Sequence, residues 1–185
     1  MQNKFKAALL AVALLMTSGV ALADGNFWLW LVNFSRQKGV KPVDSNTYLS
    51  ECGSCHYAYP PGLLPSKSWA KLLNDKALSN HFGESAILDE ETLKVITDYT
   101  MANAADKSWY KRSRKIALAT EEGEAPIRIT EVSYIRRKHH DIPEKMIKGN
   151  KDVKSLSFCN ACHTEAEKGD FDNDTVSIPN YPDYN

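Results

Sequence analysis

CGSCH at residues 52–56 and CNACH at residues 159–163 are two copies of one pattern, Cys-x-x-Cys-His. Together they contain all four cysteines of the 185-residue chain and two of its five histidines. Each cysteine pair is therefore followed directly by a histidine. A shared pattern that uses every cysteine indicates two sites with the same chemistry.

Cys-x-x-Cys-His is the attachment pattern for haem c. The two thiols bond to the two vinyl groups on one edge of the porphyrin, and the adjacent histidine projects under the ring to coordinate the iron. The sequence thus predicts two covalently bound haem c groups. The predicted attachment residues are Cys52, Cys55, Cys159 and Cys162, and the predicted proximal iron ligands are His56 and His163.

Three other uses of the cysteines explain the pattern less well. A redox-active dithiol leaves both following histidines unexplained, and the sequence lacks the βαβ pattern that usually surrounds one. A single structural zinc site would have to join two cysteine pairs about a hundred residues apart, far beyond the usual ribbon spacing. Simple structural disulfides also give the two histidines no role.

Each iron can take a second protein ligand, and the candidates outside the motifs are His81, His139, His140, Met101 and Met146. Apolar side chains recur at helical spacing over residues 66–80, which predicts one amphipathic helix with Ser66 or Ser68 as its N-cap. His81 follows the end of that helix and is the favoured distal ligand of the first haem. Met101, on a second helix predicted over residues 89–103, is its rival; its alternative role is core packing.

For the second haem the candidates are the adjacent His139 and His140, with Met146 as a weaker one. Adjacent residues point in different directions, so only one of the two histidines can easily reach the iron. Arg136, Arg137 and Lys138 precede them, and the whole run is alternatively a solvated basic segment.

The first 23 residues predict a cleaved signal peptide. Lys4 and Lys6 precede the apolar residues 7–16, and Ala21-Leu22-Ala23 supplies a small-x-small cleavage pattern, with cleavage after Ala23. The apolar run is shorter than the ~20 residues that span a bilayer. We therefore expect a periplasmic protein with no stable membrane insertion after signal removal.

The balance of basic and acidic side chains argues against nucleic-acid binding. The chain has 23 basic and 23 acidic side chains, and loss of the two signal-peptide lysines leaves 21 basic and 23 acidic groups. Such a balance argues against a nucleic-acid binder held by a dominant basic surface.

The expected architecture is mainly α-helical, with two small haem lobes packed together. A lead-in at residues 24–43 precedes an N-terminal haem lobe at 44–105 and a C-terminal haem lobe at 106–185. No Gly/Ser-rich linker separates the lobes. Residues 60–65 contain three prolines and are expected to form an irregular loop at a haem edge.

Several segments resemble the bacterial dihaem cytochrome c family. They are residues 48–65, Ser68-Trp69, His81-Phe82-Gly83, Arg128-Ile129-Thr130, Arg137-Lys138-His139 and the second motif with Ile178-Pro179. The resemblance implies an N-terminal lobe like class I cytochromes c and a less conventional, irregular and helical C-terminal lobe. It also implies two irons that each have two histidine ligands, with His81 and His139 distal and His140 as the alternative to His139.

The function implied is electron transport without substrate chemistry, so the protein is not expected to be an enzyme. The implied partners are a small oxygen-binding monohaem cytochrome and a membrane-bound electron donor. Two alternatives need an iron with an open coordination position: a dihaem peroxidase, and a haem-based ligand-binding or sensor protein. Known dihaem peroxidases are longer, and the sequence has no obvious catalytic carboxylate constellation.

Overall fold

A computed structural model describes residues 37–120 and 123–184. The predicted signal peptide and residues 24–36 of the lead-in lie outside these residues. Within them the protein is helical and contains no β-strand, as the sequence predicts. None of the described helices is long and apolar enough to cross a membrane.

Seven α-helices follow one another along the described chain. They are α1 (Asn46–Cys52), α2 (Ser66–Leu72), α3 (Asp75–Leu78), α4 (Glu90–Ala102), α5 (Lys111–Ala119), α6 (Ser133–His139) and α7 (Glu144–Ile147). Short 3₁₀ helices lie between and after them, at Pro61–Leu63, Ile129–Glu131, Cys159–Ala161, Ala166–Lys168 and Asn173–Thr175. After α7 the chain forms only these single turns and loops.

The prediction of a single helix over residues 66–80 is wrong in one respect, because this segment forms two helices, α2 and α3. Leu73 leaves the helical conformation with φ −97° and ψ 69°, and the side chain of Asn74 then accepts a hydrogen bond from the N–H of Ala77. Asparagine is a strong N-cap, so it starts a new helix here instead of continuing the old one.

The N-cap predicted for α2 is also wrong. Ser66 is the first helical residue, and its N–H and hydroxyl both donate to the carboxylate of Asp106, at 2.7 to 2.8 Å. Ser68 is buried inside the helix. The predicted helix at residues 89–103 is confirmed as α4, whose Asp89 side chain caps the N–H of Thr92 at 2.9 Å.

The proline-rich segment is more regular than expected, because Pro61–Leu63 form a 3₁₀ turn with proline at its first position. Residues 60–65 are all buried, and the indole N–H of Trp69 donates to the carbonyl of Pro61 at 2.9 Å. This segment packs against α5.

The hydrophobic core joins the two predicted lobes. One cluster of contacting residues includes Tyr48, Leu64 and Ile96 from residues 44–105 and Ile116 and Val132 from residues 106–185. Residues 37–185 accordingly form one compact unit. The lobe boundary at 105/106 stays a prediction.

The end of the lead-in is attached to the C-terminal part of the chain. The N–H of Val40 donates to the carbonyl of Gly169 at 2.9 Å, and the N–H of Arg112 donates to the carbonyl of Gly39 at 3.0 Å. Gly39 and Gly169 both have positive φ, and a Cβ at either would lie about 2 Å from a backbone carbonyl oxygen of the opposite segment. This close approach requires glycine on both sides.

Candidate haem sites

The first motif lies where α1 ends. Cys52 is the last residue of the helix, and Gly53 to His56 form the turn after it. Nδ1 of His56 lies 2.7 Å from the carbonyl oxygen of Tyr57. A hydrogen bond from Nδ1 to a carbonyl leaves Nε2 as the nitrogen available to a metal.

His81 lies in a tight turn that follows α3. His81 and Glu84 exchange both backbone hydrogen bonds, at 2.6 and 3.3 Å, while Phe82 and Gly83 between them have positive φ. The turn holds the His81 ring opposite that of His56, with the ring centroids 6.3 Å apart and the planes inclined by 20°.

The second motif has a different backbone. Cys159 begins a 3₁₀ turn, and His163 pairs with Val176 in an isolated antiparallel bridge. His139 is the last residue of α6, and its Nδ1 lies 2.8 Å from the carbonyl oxygen of Ile135. The His139 and His163 ring centroids are 6.0 Å apart, and their planes are inclined by 71°.

The structure directs His140 away from the second motif. This side chain is exposed, with Nδ1 at 2.9 Å from the carbonyl oxygen of Arg137 and Nε2 at 3.0 Å from a carboxylate oxygen of Asp141. Of the two adjacent histidines, His139 is the one brought to His163. Met146 is buried in the wall of the same cavity, whereas Met101 packs against the hydrophobic core.

Both histidine pairs have a spacing that fits an iron between them. An imidazole nitrogen bonds a metal at about 2 Å, so two imidazoles on one iron have centroids roughly 6 Å apart. The measured separations are 6.3 and 6.0 Å. Nδ1 of His81 and Nδ1 of His163 are buried without a hydrogen-bond partner among the described residues, as in a site built around a further group.

A cavity of about 820 Å³ contains His139, His163, Cys159 and Cys162 in its wall. Most of the remaining wall is apolar, from Leu63 of the proline-rich segment to Phe171, whose ring centroid is 5.2 Å from that of His163. An apolar cavity that holds both cysteines and both histidines of one site suits a porphyrin.

Two of the four site histidines, His81 and His163, have a lowered pKa, which favours the neutral imidazole. Burial, then His139 and Arg112, lower the pKa of His163 to about 4. Burial, then His56 and Arg128, lower the pKa of His81. Neutral imidazole is the form that binds a metal.

Cys52 and Cys159, the first cysteine of each motif, do not have the lowered pKa of a redox-active dithiol. Burial and the nearby Glu51 raise the pKa of Cys52 to about 11, and burial raises the pKa of Cys159 to about 11. Reactive dithiols have a lowered pKa, because the thiolate is the nucleophile. The four cysteines form no disulfide with one another.

Two tyrosines that sequence reasoning missed connect the two sites. The hydroxyl of Tyr57 donates to the carbonyl of Ala166 at 2.7 Å, and that of Tyr59 donates to the carbonyl of Ser157 at 2.6 Å. The Tyr59 ring lies 5.0 Å from the His56 ring, centroid to centroid. Their position directly after the first motif was the available signal, since an aromatic residue next to a ligand is well placed to pack around it.

Fold and motifs together define a small c-type cytochrome with two haem attachment sites. The family model for dihaem cytochrome c matches residues 48–171. The chain belongs to the dihaem cytochrome c family. Among curated protein sequences, none matches this chain significantly.

Solved structures of diheme cytochromes c from two bacteria are similar to this chain. The diheme cytochrome type c of Shewanella baltica OS155 is 38% identical, with TM-score 0.62, over 76% of this chain and 97% of that one. The diheme cytochrome c of Rhodobacter sphaeroides is 39% identical, with TM-score 0.62, over 71% of this chain and 100% of that one. A second Rhodobacter sphaeroides structure has TM-score 0.55 at 39% identity, over 70% and 99% of the two chains.

Family membership confirms the cofactor and the general function. The protein is an electron-transfer haem protein with two covalently bound haem c groups, and the four cysteines needed for attachment are present.

Proposed function

We propose that this protein is a periplasmic electron carrier that has two histidine ligands on each iron and catalyses no substrate reaction. Haem c supplies a one-electron change of iron oxidation state. In this chain His56, His81, His139 and His163 would hold the irons, the four cysteines would fix the groups covalently, and the apolar walls would exclude water.

The observation that carries this proposal is the spacing of the two histidine pairs. Each pair has its rings close to 6 Å apart, centroid to centroid, although the pairs come from unrelated backbone elements. With His56 or His163 on one side of an iron, a second histidine at this distance would hold the iron from the other side. An iron with six ligands has no open position for a peroxide or a gas, so the spacing favours a carrier over a peroxidase or a sensor.

Contacts between the two motifs support passage of electrons from one site to the other. Tyr57 and Tyr59 follow His56 directly and hydrogen-bond the backbone on either side of the second motif. The two rings meet edge to face, with centroids 5.5 Å apart. These contacts place the backbone after the first motif against the backbone that flanks the second, and electron transfer within one molecule needs such closeness.

The proposed partners are a small oxygen-binding monohaem cytochrome as acceptor and a membrane-bound protein as electron donor. Ligation by two histidines gives lower potentials than histidine–methionine ligation, which suits a donor to an oxygen-binding partner.

The test combines absorption and low-temperature EPR spectra of the purified holoprotein, with carbon monoxide added to the reduced form. Two low-spin irons and no carbon monoxide shift are expected. His81→Ala and His139→Ala should each give one high-spin iron that binds carbon monoxide. His140→Ala is the matched control and should leave both irons low-spin.

A high-spin fraction in the wild-type protein would contradict the proposal and favour an enzyme or a ligand sensor. If His140→Ala gives a high-spin iron and His139→Ala leaves both irons low-spin, His140 and not His139 is the distal ligand of the second haem.

A further inference from the structure

Seven basic and three acidic residues occur between residues 133 and 158, the stretch that contains α6 and α7. The next stretch, residues 159–185, has one basic and six acidic residues. The first stretch supplies His139 to the second site, and the other supplies His163. The two stretches that supply histidines to the second site therefore carry opposite net charge, basic for the stretch of the predicted distal ligand and acidic for the other.

The basic side chains are available to a partner. Arg136, Arg137 and Lys138 on α6 are exposed, and none forms an ion pair with the described residues. Lys151 and Lys154, after α7, are exposed and equally unpaired within the described chain. The carboxylates of this stretch are engaged: Asp141 with His140 at 3.0 Å, Glu144 with Lys148 at 2.9 Å, and Asp152 with the amide of Asn180 at 2.8 Å.

One of these basic side chains lies in the wall of the second cavity, which also contains the carboxylates of Asp141 and Asp174. Lys138 is exposed and also lines the cavity, next to His139. Four residues just before Cys159 line the same cavity, namely Val153, Ser155, Leu156 and Phe158, and Phe158 exposes 41% of its surface. An exposed aromatic ring at a cofactor cavity, with a lysine in the same wall, is suited to brief contact with another protein.

The geometry points to this basic face, defined by Arg136, Arg137, Lys138, Lys151, Lys154 and Phe158, as the docking surface for a redox protein with an acidic surface. That protein would exchange electrons at the second haem. The inference deepens the proposed function and rests on it. An anionic lipid surface is the rival occupant; an acidic redox protein is favoured because Lys138 and the exposed ring of Phe158 both line a cofactor cavity.

The direct test is binding of the oxidised holoprotein to a flavodoxin, used as an acidic one-electron protein, by titration calorimetry at low ionic strength. Reversal of three charges on α6 (R136E, R137E and K138E together) should weaken binding by about tenfold or more. The matched control reverses three exposed lysines on α2 and α3 (K67E, K71E and K76E together), which changes the net charge equally. It should keep most of the affinity.

A kinetic arm uses flash reduction by two flavin semiquinones of different charge. The rate with anionic FMN semiquinone should fall with rising salt in the wild-type protein and in the α2–α3 control, and lose that dependence in the α6 variant. Uncharged lumiflavin semiquinone should reduce all three proteins equally. Failure of lumiflavin to reduce the haems would count against the proposed carrier function and not against the docking face.

Equal loss of flavodoxin binding in both triple variants would overturn the docking face, because net charge alone would then explain the effect. Sedimentation with phosphatidylglycerol vesicles that is abolished only in the α6 variant, with flavodoxin binding unchanged, would assign the face to a membrane surface instead. Unchanged absorption spectra of the variants are required to show that both haem sites remain intact.

Discussion

The two haem sites reach almost the same histidine spacing from different backbones. At the first site, α1 delivers the motif and a four-residue turn delivers His81. At the second, a 3₁₀ turn delivers the motif and the end of α6 delivers His139. The ring planes differ accordingly, nearly parallel at 20° and nearly perpendicular at 71°. The spacing is the one that an iron between each pair would require, whereas the ring orientation follows the local fold.

Ring orientation gives the largest expected difference between the sites. Parallel imidazoles split the two iron d orbitals that mix with the ring π systems, and perpendicular imidazoles leave them nearly equal in energy. We expect the first haem to give a rhombic low-spin EPR spectrum and the second a single broad signal at higher g. His81→Ala should remove only the former, and His139→Ala only the latter. Two identical rhombic signals would contradict the difference in ring orientation.

Loop substitutions compare how tightly each site is held. Gly169, after the second motif, has φ +74°, and a Cβ there would lie 2.1 Å from the carbonyl oxygen of Val40. Gly83, beside His81, has φ +107°, but a Cβ there would meet nothing within 4 Å. Gly169→Ala should cost about 3 to 4 kcal/mol, from backbone strain plus collision, and Gly83→Ala about 1 to 2 kcal/mol, from strain alone.

Denaturant unfolding followed by absorption and circular dichroism measures both costs. Equal destabilisation by the two substitutions would mean that contact with the lead-in does not hold the loop of the second site.

Substitutions that remove tyrosine hydroxyls compare hydrogen bonds that join the two sites with a hydrogen bond inside the first site. Tyr57→Phe or Tyr59→Phe removes a donor to a carbonyl beside the second motif, while Tyr48→Phe removes one to the carbonyl of Tyr59, inside the first site. Each should cost about 1 to 2 kcal/mol. Only the first two should change the magnetic interaction of the irons, measured by pulsed EPR. The same change in Tyr48→Phe would show that the link is not specific.

Features that depend on neighbouring residues could be predicted from the sequence, and features that depend on packing between distant segments could not. The attachment motifs and α4 were predictable because spacing, an aspartate N-cap and helical periodicity are local signals. The break between α2 and α3 was missed because apolar periodicity continues across Leu73, although Asn74-Asp75 is itself a helix-start signal. The nearness of His139 to His163 depends on packing between segments that are distant along the chain. Residue order alone therefore could not choose between His139 and His140.

The contact between Asp106 and Ser66, the first residue of α2, also joins segments that are distant along the chain. Burial raises the pKa of Asp106, but hydrogen bonds from the N–H and hydroxyl of Ser66 outweigh it and keep the pKa below its ordinary value. Such a carboxylate contributes stability above the pKa of about 3.9 that it has in the unfolded chain, and loses it as the pH falls through the lower folded value.

Asp106→Ala should therefore destabilise the protein by about 1 kcal/mol at neutral pH, the usual value of a helix cap. The nearby Lys107, 4.0 Å away and largely exposed, adds little because solvent screens the pair. The difference between wild type and variant, measured by denaturant unfolding, should shrink only below about pH 4. Asp106 belongs to the predicted C-terminal lobe and Ser66 to the N-terminal one, so this contact joins the two. If the difference in unfolding free energy persists at lower pH, the charge of the carboxylate is not what holds α2 in place.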